Sequence, residues 1–133
     1  MLDFRNLLSK YSRILVTGGA GFIGGTLIRK ILEHTNSKVF NIDKFGYASD
    51  CQGIESLINK LETDVVDRYK FYKVDLLDAE MTSQVIKEAD PDLIFHLAAE
   101  SHVDRSIDSP IGFLESNVIG TYNLLKAAKS HWE

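Results

Sequence analysis

The chain has 133 residues, 44% of them apolar and 26% charged, with a formal net charge of −4, the profile of one ordinary globular domain. An acidic balance with no basic stripe argues against nucleic-acid binding, and the longest apolar runs are too short to cross a bilayer. Cys51 is the single cysteine, which excludes an intrachain disulfide and fits a reduced, cytoplasmic setting.

Residues 1–12 read as an N-terminal extension without the apolar core of a signal peptide. Phe4, Leu7, Leu8 and Tyr11 fall at helical spacing and predict a short extra helix there. From Arg13 onward, four short apolar stretches alternate with four amphipathic ones. The strands are expected at Arg13–Val16, Lys38–Ile42, Lys70–Val74 and Leu93–His96, each β-branched or aromatic as in strands buried on both faces. The helices are expected at Phe22–His34, Gly53–Glu62, Ala79–Glu88 and Pro110–His131. Asp78 is placed to cap the third helix and Asp90-Pro91 to close it. Ser109 and Pro110 read as the cap and first residue of the fourth. In that helix Ile111, Leu114, Val118, Thr121, Leu125 and Ala128 step by three and four, which predicts one core-facing stripe. The alternation implies an α/β fold with right-handed crossovers and a doubly wound parallel sheet, cut off after the fourth strand and helix. With strand order 3-2-1-4, the fourth strand becomes an edge rich in Leu, Ile and Phe.

The first strand runs into Gly18-Gly19-Ala20-Gly21-Phe22-Ile23-Gly24. Gly19, Gly21 and Gly24 satisfy G-x-G-x-x-G, and Gly18, Gly21 and Gly24 satisfy G-x-x-G-x-x-G. Glycine permits a tight turn with positive φ, close approach of a pyrophosphate, and close packing of helix on strand. The helix start then offers free N–H groups and partial positive charge. A strand before the motif and a helix after it are the context that turns a weak pattern into a dinucleotide-binding signal. Residues 13–133 therefore read as part of a Rossmann-type dinucleotide-binding domain. Asp43 ends the second strand, 19 residues after Gly24. A carboxylate there accepts hydrogen bonds from ribose hydroxyls and repels a 2′-phosphate, favouring NAD over NADP, although the neighbouring Lys44 weakens that preference. Asp75 reads as the end of the third strand and with Leu76 would frame the adenine edge; the plainer reading of Asp75 is a loop residue assisting the Asp78 cap. His96 lies within an apolar strand and reads as a hydrogen-bonded core histidine. No cluster has metal-ligand spacing.

The run His96-Leu97-Ala98-Ala99-Glu100-Ser101-His102-Val103-Asp104-Arg105-Ser106-Ile107, with Thr17 to Gly24, resembles the extended short-chain dehydrogenase/reductase superfamily, and within it the dTDP-glucose 4,6-dehydratases. Asn41 to Ala48 and Asn117 to Leu125 resemble the same family, so the likeness covers Arg13 to Trp132. It implies that Gly18, Gly21, Phe22, Ile23 and Gly24 hold the pyrophosphate of NAD, with Phe22 and Ile23 acting through their backbone. It implies further that Asp43 and Lys44 hold the adenosine ribose and that Asp75 and Leu76 flank adenine. Leu97, Ala98, Ala99 and Ser101 would line the nicotinamide-ribose side, and Ser116 would approach from the fourth helix. Ser101, His102, Asp104 and Arg105 would face the sugar nucleotide or a subunit contact. The superfamily uses the residue equivalent to Asn117 to hold backbone and water, and its enzymes dimerise through helices in this region, which implies a homodimer or a partner chain.

The resemblance also implies a redox-neutral reaction. Hydride leaves sugar C4 for NAD, water is lost across C5 and C6, and the hydride returns to C6. The Tyr-x-x-x-Lys pair and Thr-Asp-Glu cluster for these steps fall beyond Glu133 in the family. Tyr69 and Lys73 straddle the start of a strand, which does not bring them together as a helix would. Tyr122 and Lys126 match a structural helix of the family. No catalytic residue is therefore expected in this chain, and the chain alone is expected to be inactive. The function expected is the NAD-binding portion of a dTDP-glucose dehydratase, the sequence being a truncated product, half of a split enzyme or an excerpt. The alternatives are a non-catalytic NAD-binding or scaffolding fragment and a fragment of a related nucleotide-sugar epimerase.

Overall fold

The computed structural model describes residues 3–45, 52–60, 63–99, 107–108 and 110–133. In chain order the elements are α1 (Phe4–Leu8), β1 (Arg13–Thr17), α2 (Phe22–His34), β2 (Lys38–Asp43), α3 (Gln52–Lys60), α4 (Thr63–Arg68) and β3 (Tyr69–Lys73). They continue with α5 (Ala79–Ala89), β4 (Leu93–His96), α6 (Pro110–Leu114), a π-helical turn (Glu115–Ile119) and α7 (Gly120–Trp132). All strand pairs are parallel and the order is β3-β2-β1-β4, the doubly wound arrangement expected.

Strand alternation explains the two cores. Ile14, Val16 and Val39 point to one face, where Leu8 of α1, Ile28, Ile31 and Leu32 of α2, Ile54 of α3 and Val65 of α4 cover them. Leu15, Phe40 and Ile42 point to the other face, under Val85, Ile86 and Ala89 of α5 and Leu124 and Ala127 of α7. A two-residue repeat sends neighbours to opposite sides, so the middle of the central strand β1, Ile14 to Val16, has to be apolar on both faces. The edge strand β4 is only half-buried along its length. Asp78 caps α5 by accepting from the Met81 amide at 3.0 Å, and Asp90 ends it in the left-handed region at φ 46°, both as expected.

Three expectations are corrected, and one helix was not foreseen. The helix expected at about Gly53–Glu62 is α3, and α4 follows it as an additional element. The α4 segment was missed because adjacent Val65-Val66 carries little helical signal; burial of Val65 and the contacts of Arg68 hold it. Asp75 lies two residues past β3, in the following turn. The helix expected over Pro110–His131 is broken by the π turn. Its core-facing residues are Gly120, Leu124, Ala127 and Ala128, whereas Ile111, Leu114, Val118 and Leu125 are more than half exposed. This segment is apolar on two sides, and a π turn advances the helical phase by an extra residue. The spacing rule selected a stripe that mostly faces outward; of its members Ala128 is buried and Thr121 half-buried.

The Arg68 guanidinium donates to the carbonyls of Leu32 at 3.1 Å, Thr35 at 3.1 Å and Ser37 at 2.9 Å, closing the C-terminal end of α2. A cation there satisfies orphan carbonyls and complements the helix dipole. Arg68→Met should cost about 2 kcal/mol, since half-buried acceptors lose a charged donor, and urea denaturation would measure it. An unchanged midpoint would mean that water serves these carbonyls equally well.

Candidate functional site

The carboxyl ends of β1 and β4 lie side by side, with Thr17 in register with His96. The connections leave β1 and β4 for opposite faces, which opens a crevice where doubly wound sheets bind ligands. The glycine turn fills one wall. Gly18 has φ 74°, and a Cβ there would sit 2.7 Å from the Ala98 amide nitrogen. Only glycine allows both the left-handed conformation and the close approach of the two strand exits. A Cβ on Gly24 would strike the Gly18 carbonyl oxygen and lie 2.9 Å from the Gly19 Cα. Gly21 differs: a Cβ there meets only the Gly18 oxygen, at 3.3 Å, so its bare backbone is not demanded by the fold to the same degree.

Gly21 is also the N-cap of α2, and it supplies no side-chain cap. Phe22 and Ile23 are 89% and 70% exposed, which leaves the first turn open to solvent. An uncapped, solvent-facing helix start suits a diphosphate. Two side chains from β2 hold this turn. The Asn41 Oδ1 accepts from the Gly19 amide at 3.0 Å, and the Asn41 Nδ2 donates to the Tyr69 hydroxyl at 3.1 Å. The Asp43 carboxylate accepts from the Ala20 amide at 3.0 Å and from the Phe45 amide at 2.7 Å. Each of its oxygens retains a second lone pair for a ribose hydroxyl. Asp43 thus joins the glycine turn to the end of β2, and NAD fits this donor and acceptor set.

The remaining expected residues fall as follows. Lys44 Nζ donates to the Ser116 hydroxyl at 3.3 Å, bringing together two residues assigned to the cofactor from opposite sides of the crevice. Asp75 accepts from the Leu77 amide at 3.0 Å, a turn-forming contact. The Leu76 side chain packs in the second core cluster, and its carbonyl accepts from Asn123 at 2.8 Å. Leu97 and Ala99 are exposed beyond β4, with Ala98 half-buried between them. Ser101, His102, Asp104 and Arg105 lie outside the described residues, as do Glu100, Gly46 to Cys51 and Ser109.

His96 is a bonded core histidine, as read from the sequence. Its ring nitrogens reach the Thr17 hydroxyl at 2.6 Å and the Thr121 hydroxyl at 2.8 Å, and burial holds its pKa below the ordinary histidine value. Tyr69 is tied to Asn41, and Tyr122 of α7 faces outward, so neither Tyr-x-x-x-Lys match is placed at the crevice. Asn41, Thr17 and Thr121 were not singled out as site residues. Their signal was a fully buried polar residue in an apolar strand for Asn41 and Thr17; Thr121 was hidden in an apolar stripe. Among the described residues no group of three His, Cys, Asp or Glu gathers to hold a metal ion, and no helix is long and apolar enough to cross a membrane.

Comparison with known proteins agrees with this geometry. The model of the GDP-mannose 4,6 dehydratase family matches residues 15–133. A dTDP-glucose 4,6-dehydratase of Shigella flexneri is 47% identical over 120 residues, covering 90% of this chain and 32% of that protein. The crystal structure of dTDP-glucose 4,6-dehydratase from Bacillus anthracis in complex with NAD matches at a TM-score of 0.70 with 34% identity, over 90% of this chain and 34% of the other. UDP-glucose-4-epimerase from Stenotrophomonas maltophila, with bound NAD, matches at 0.77 with 26% identity, over 90% and 34%. The chain spans about a third of the length of the curated relatives it matches. By the extent of the family match, the chain belongs to the GDP-mannose 4,6 dehydratase family.

Proposed function

We propose that this chain binds NAD and forms the cofactor-binding portion of a dTDP-glucose 4,6-dehydratase. The observation that carries the reading is the uncapped start of α2 behind Gly18 and Gly21, with Asp43 bonded to the same turn. The α2 amides hold the diphosphate, Asp43 accepts from the adenosine ribose, and Lys44 with Ser116 closes that side. Asp75 and Leu76 border adenine. Leu97, Ala98, Ala99 and Ser101 border the nicotinamide ribose, and small side chains there keep the approach open. Ser101, His102, Asp104 and Arg105 meet the nucleotide sugar. When bound, NAD supplies a hydride acceptor; the chain's own residues bind and orient it.

Among the matching solved structures, the dehydratases at 34–36% identity favour this reading over the epimerases at 26–30%. A second copy of this chain is the partner proposed for the outward apolar stripe of α6 and α7. Two results test the reading. Purified chain with dTDP-glucose and NAD is expected to yield no 4-keto product by itself, and product formation would overturn the absence of catalytic residues. In calorimetry NAD is expected to bind at least about tenfold more tightly than NADP, a difference of about 1.4 kcal/mol, because a 2′-phosphate would meet the Asp43 carboxylate. Equal affinities would remove Asp43 from the ribose site.

A further inference from the structure

We propose that Thr17, His96 and Thr121 form one oriented hydrogen-bond chain that positions the cofactor-facing Leu97–Ala98 backbone and ties it to the π turn, with His96 as the positioning residue. The functional part of this inference rests on the NAD site proposed above; the geometric part does not.

The direction of every bond follows from the two ends. The Asn117 carbonyl can only accept, so the Thr121 hydroxyl donates to it, at 2.9 Å. A hydroxyl has one proton; Thr121 therefore accepts from His96, which fixes the ring proton on Nε2 at 2.8 Å. At the other end, the Ala98 amide donates to the Thr17 Oγ1 at 3.2 Å, and the Leu97 amide is shared between that oxygen and the Thr17 carbonyl, each at 3.1 Å. The single Thr17 hydroxyl proton then goes to the bare Nδ1, 2.6 Å away. One arrangement satisfies every member, and it requires a neutral imidazole.

The chain joins three elements that enclose the crevice. Thr17 ends β1 just before the glycine turn, His96 ends β4, and Thr121 begins α7 just after the π turn. A second proton on His96 would oppose a Thr17 oxygen already accepting from two amides. It would also strip the acceptor from a hydroxyl that is fully buried, and half-satisfied buried networks are costly. The groups facing the ring are the Thr17 hydroxyl from β1 and the Thr121 hydroxyl from α7, with the Asn117 carbonyl of the π turn behind it. Among the described residues no charged group contributes to the depressed pKa, whose cause is burial.

Two isosteric variants separate the ends of the chain. Asn in His96→Asn keeps an acceptor near the position of Nδ1 but does not reach Thr121. Gln in His96→Gln places an amide near the position of Nε2 but leaves Thr17 without its acceptor. Nitrogen NMR of the wild-type chain is expected to show a neutral ring with the proton on Nε2. Amide exchange at Ala98, whose acceptor is the Thr17 hydroxyl, is expected to rise about tenfold in His96→Gln and to change less than about twofold in His96→Asn. NAD affinity is expected to fall in the same order.

Stability should follow pH in a defined sense. The unfolded chain takes up a proton near pH 6.5 and the folded chain only below that. The His96 contribution is therefore complete above about 6.5 and is lost as pH falls from there toward the folded pKa. That decline should be absent from His96→Asn. A proton on Nδ1, or equal exchange at Ala98 in wild type and His96→Gln, would overturn the proposal. If the wild-type chain fails to bind NAD, the cofactor site is wrong, while the ring proton and the exchange rates still decide the chain of hydrogen bonds.

Discussion

Gly24→Ala should destabilise the folded chain by about 3 kcal/mol, the upper end of the usual range for overpacking, while Gly21→Ala should change it by about 1 kcal/mol or less. At Gly24 the added carbon meets the Gly18 carbonyl group and the Gly19 Cα. All of these are backbone atoms, and no rotamer change relieves the contact. Strand exit, turn and helix would have to separate. At Gly21 the only neighbour is the Gly18 oxygen at 3.3 Å, and φ there is −82°, a value any residue adopts. The binding effects should not follow the same order. Gly21→Ala keeps the fold but places a methyl group where the diphosphate approaches, so NAD affinity should drop at least about tenfold, and Gly21→Val should abolish it. Urea denaturation beside calorimetric titration separates the two glycines. Equal stability losses at both positions would mean that the turn relaxes as a unit and that the close contacts at Gly24 carry no special cost.

The second large effect concerns association. Ile111, Leu114, Val118, Tyr122 and Leu125 step by three and four along α6, the π turn and α7, and each is more than half exposed. A contiguous exposed apolar stripe marks a candidate interaction surface, and twofold dimers, in which one patch meets its own copy, are the commonest oligomers. Sedimentation at micromolar concentration is expected to show a dimer for the wild-type chain and a monomer for Leu114→Glu/Leu125→Glu. Both positions are exposed in the single chain, so its folding stability should move by only about 0.5 kcal/mol per site. A wild-type monomer across that range would remove the second copy as the partner and leave the stripe to another chain.

The sequence disclosed most where local physics and tertiary context agree. Arg13–Val16 followed by the glycine run had to be strand, turn and helix, because β-branched residues, left-handed turn positions and an amphipathic repeat point the same way. The alternation of elements implied a parallel doubly wound sheet, but not its order: alternation alone also permits 2-1-3-4, and 3-2-1-4 belonged to the dinucleotide-binding arrangement the glycine motif suggested. The Asp78 cap and the Asp90 stop were legible from residue type alone. Legibility ended where two signals competed. α6 and α7 are apolar on both sides, so spacing could not tell the core face from the outward one, and nothing in the residues from Glu115 to Ile119 announces a π turn. The glycines, Asp43, Lys44 and Ser116 were named beforehand, but not the hydrogen bond that joins Lys44 to Ser116. Asn41 and the Thr17–His96–Thr121 connection depend on contacts 22 to 79 residues apart, which no local pattern encodes.

Backbone NMR during titration with NAD tests the central claim most directly. If the start of α2 cradles the diphosphate, the amide signals of Phe22, Ile23 and Gly24 should shift most, with Ala20 and Phe45 following through the Asp43 carboxylate. Saturable binding that leaves those three amides unmoved, or no binding at millimolar NAD, would contradict it.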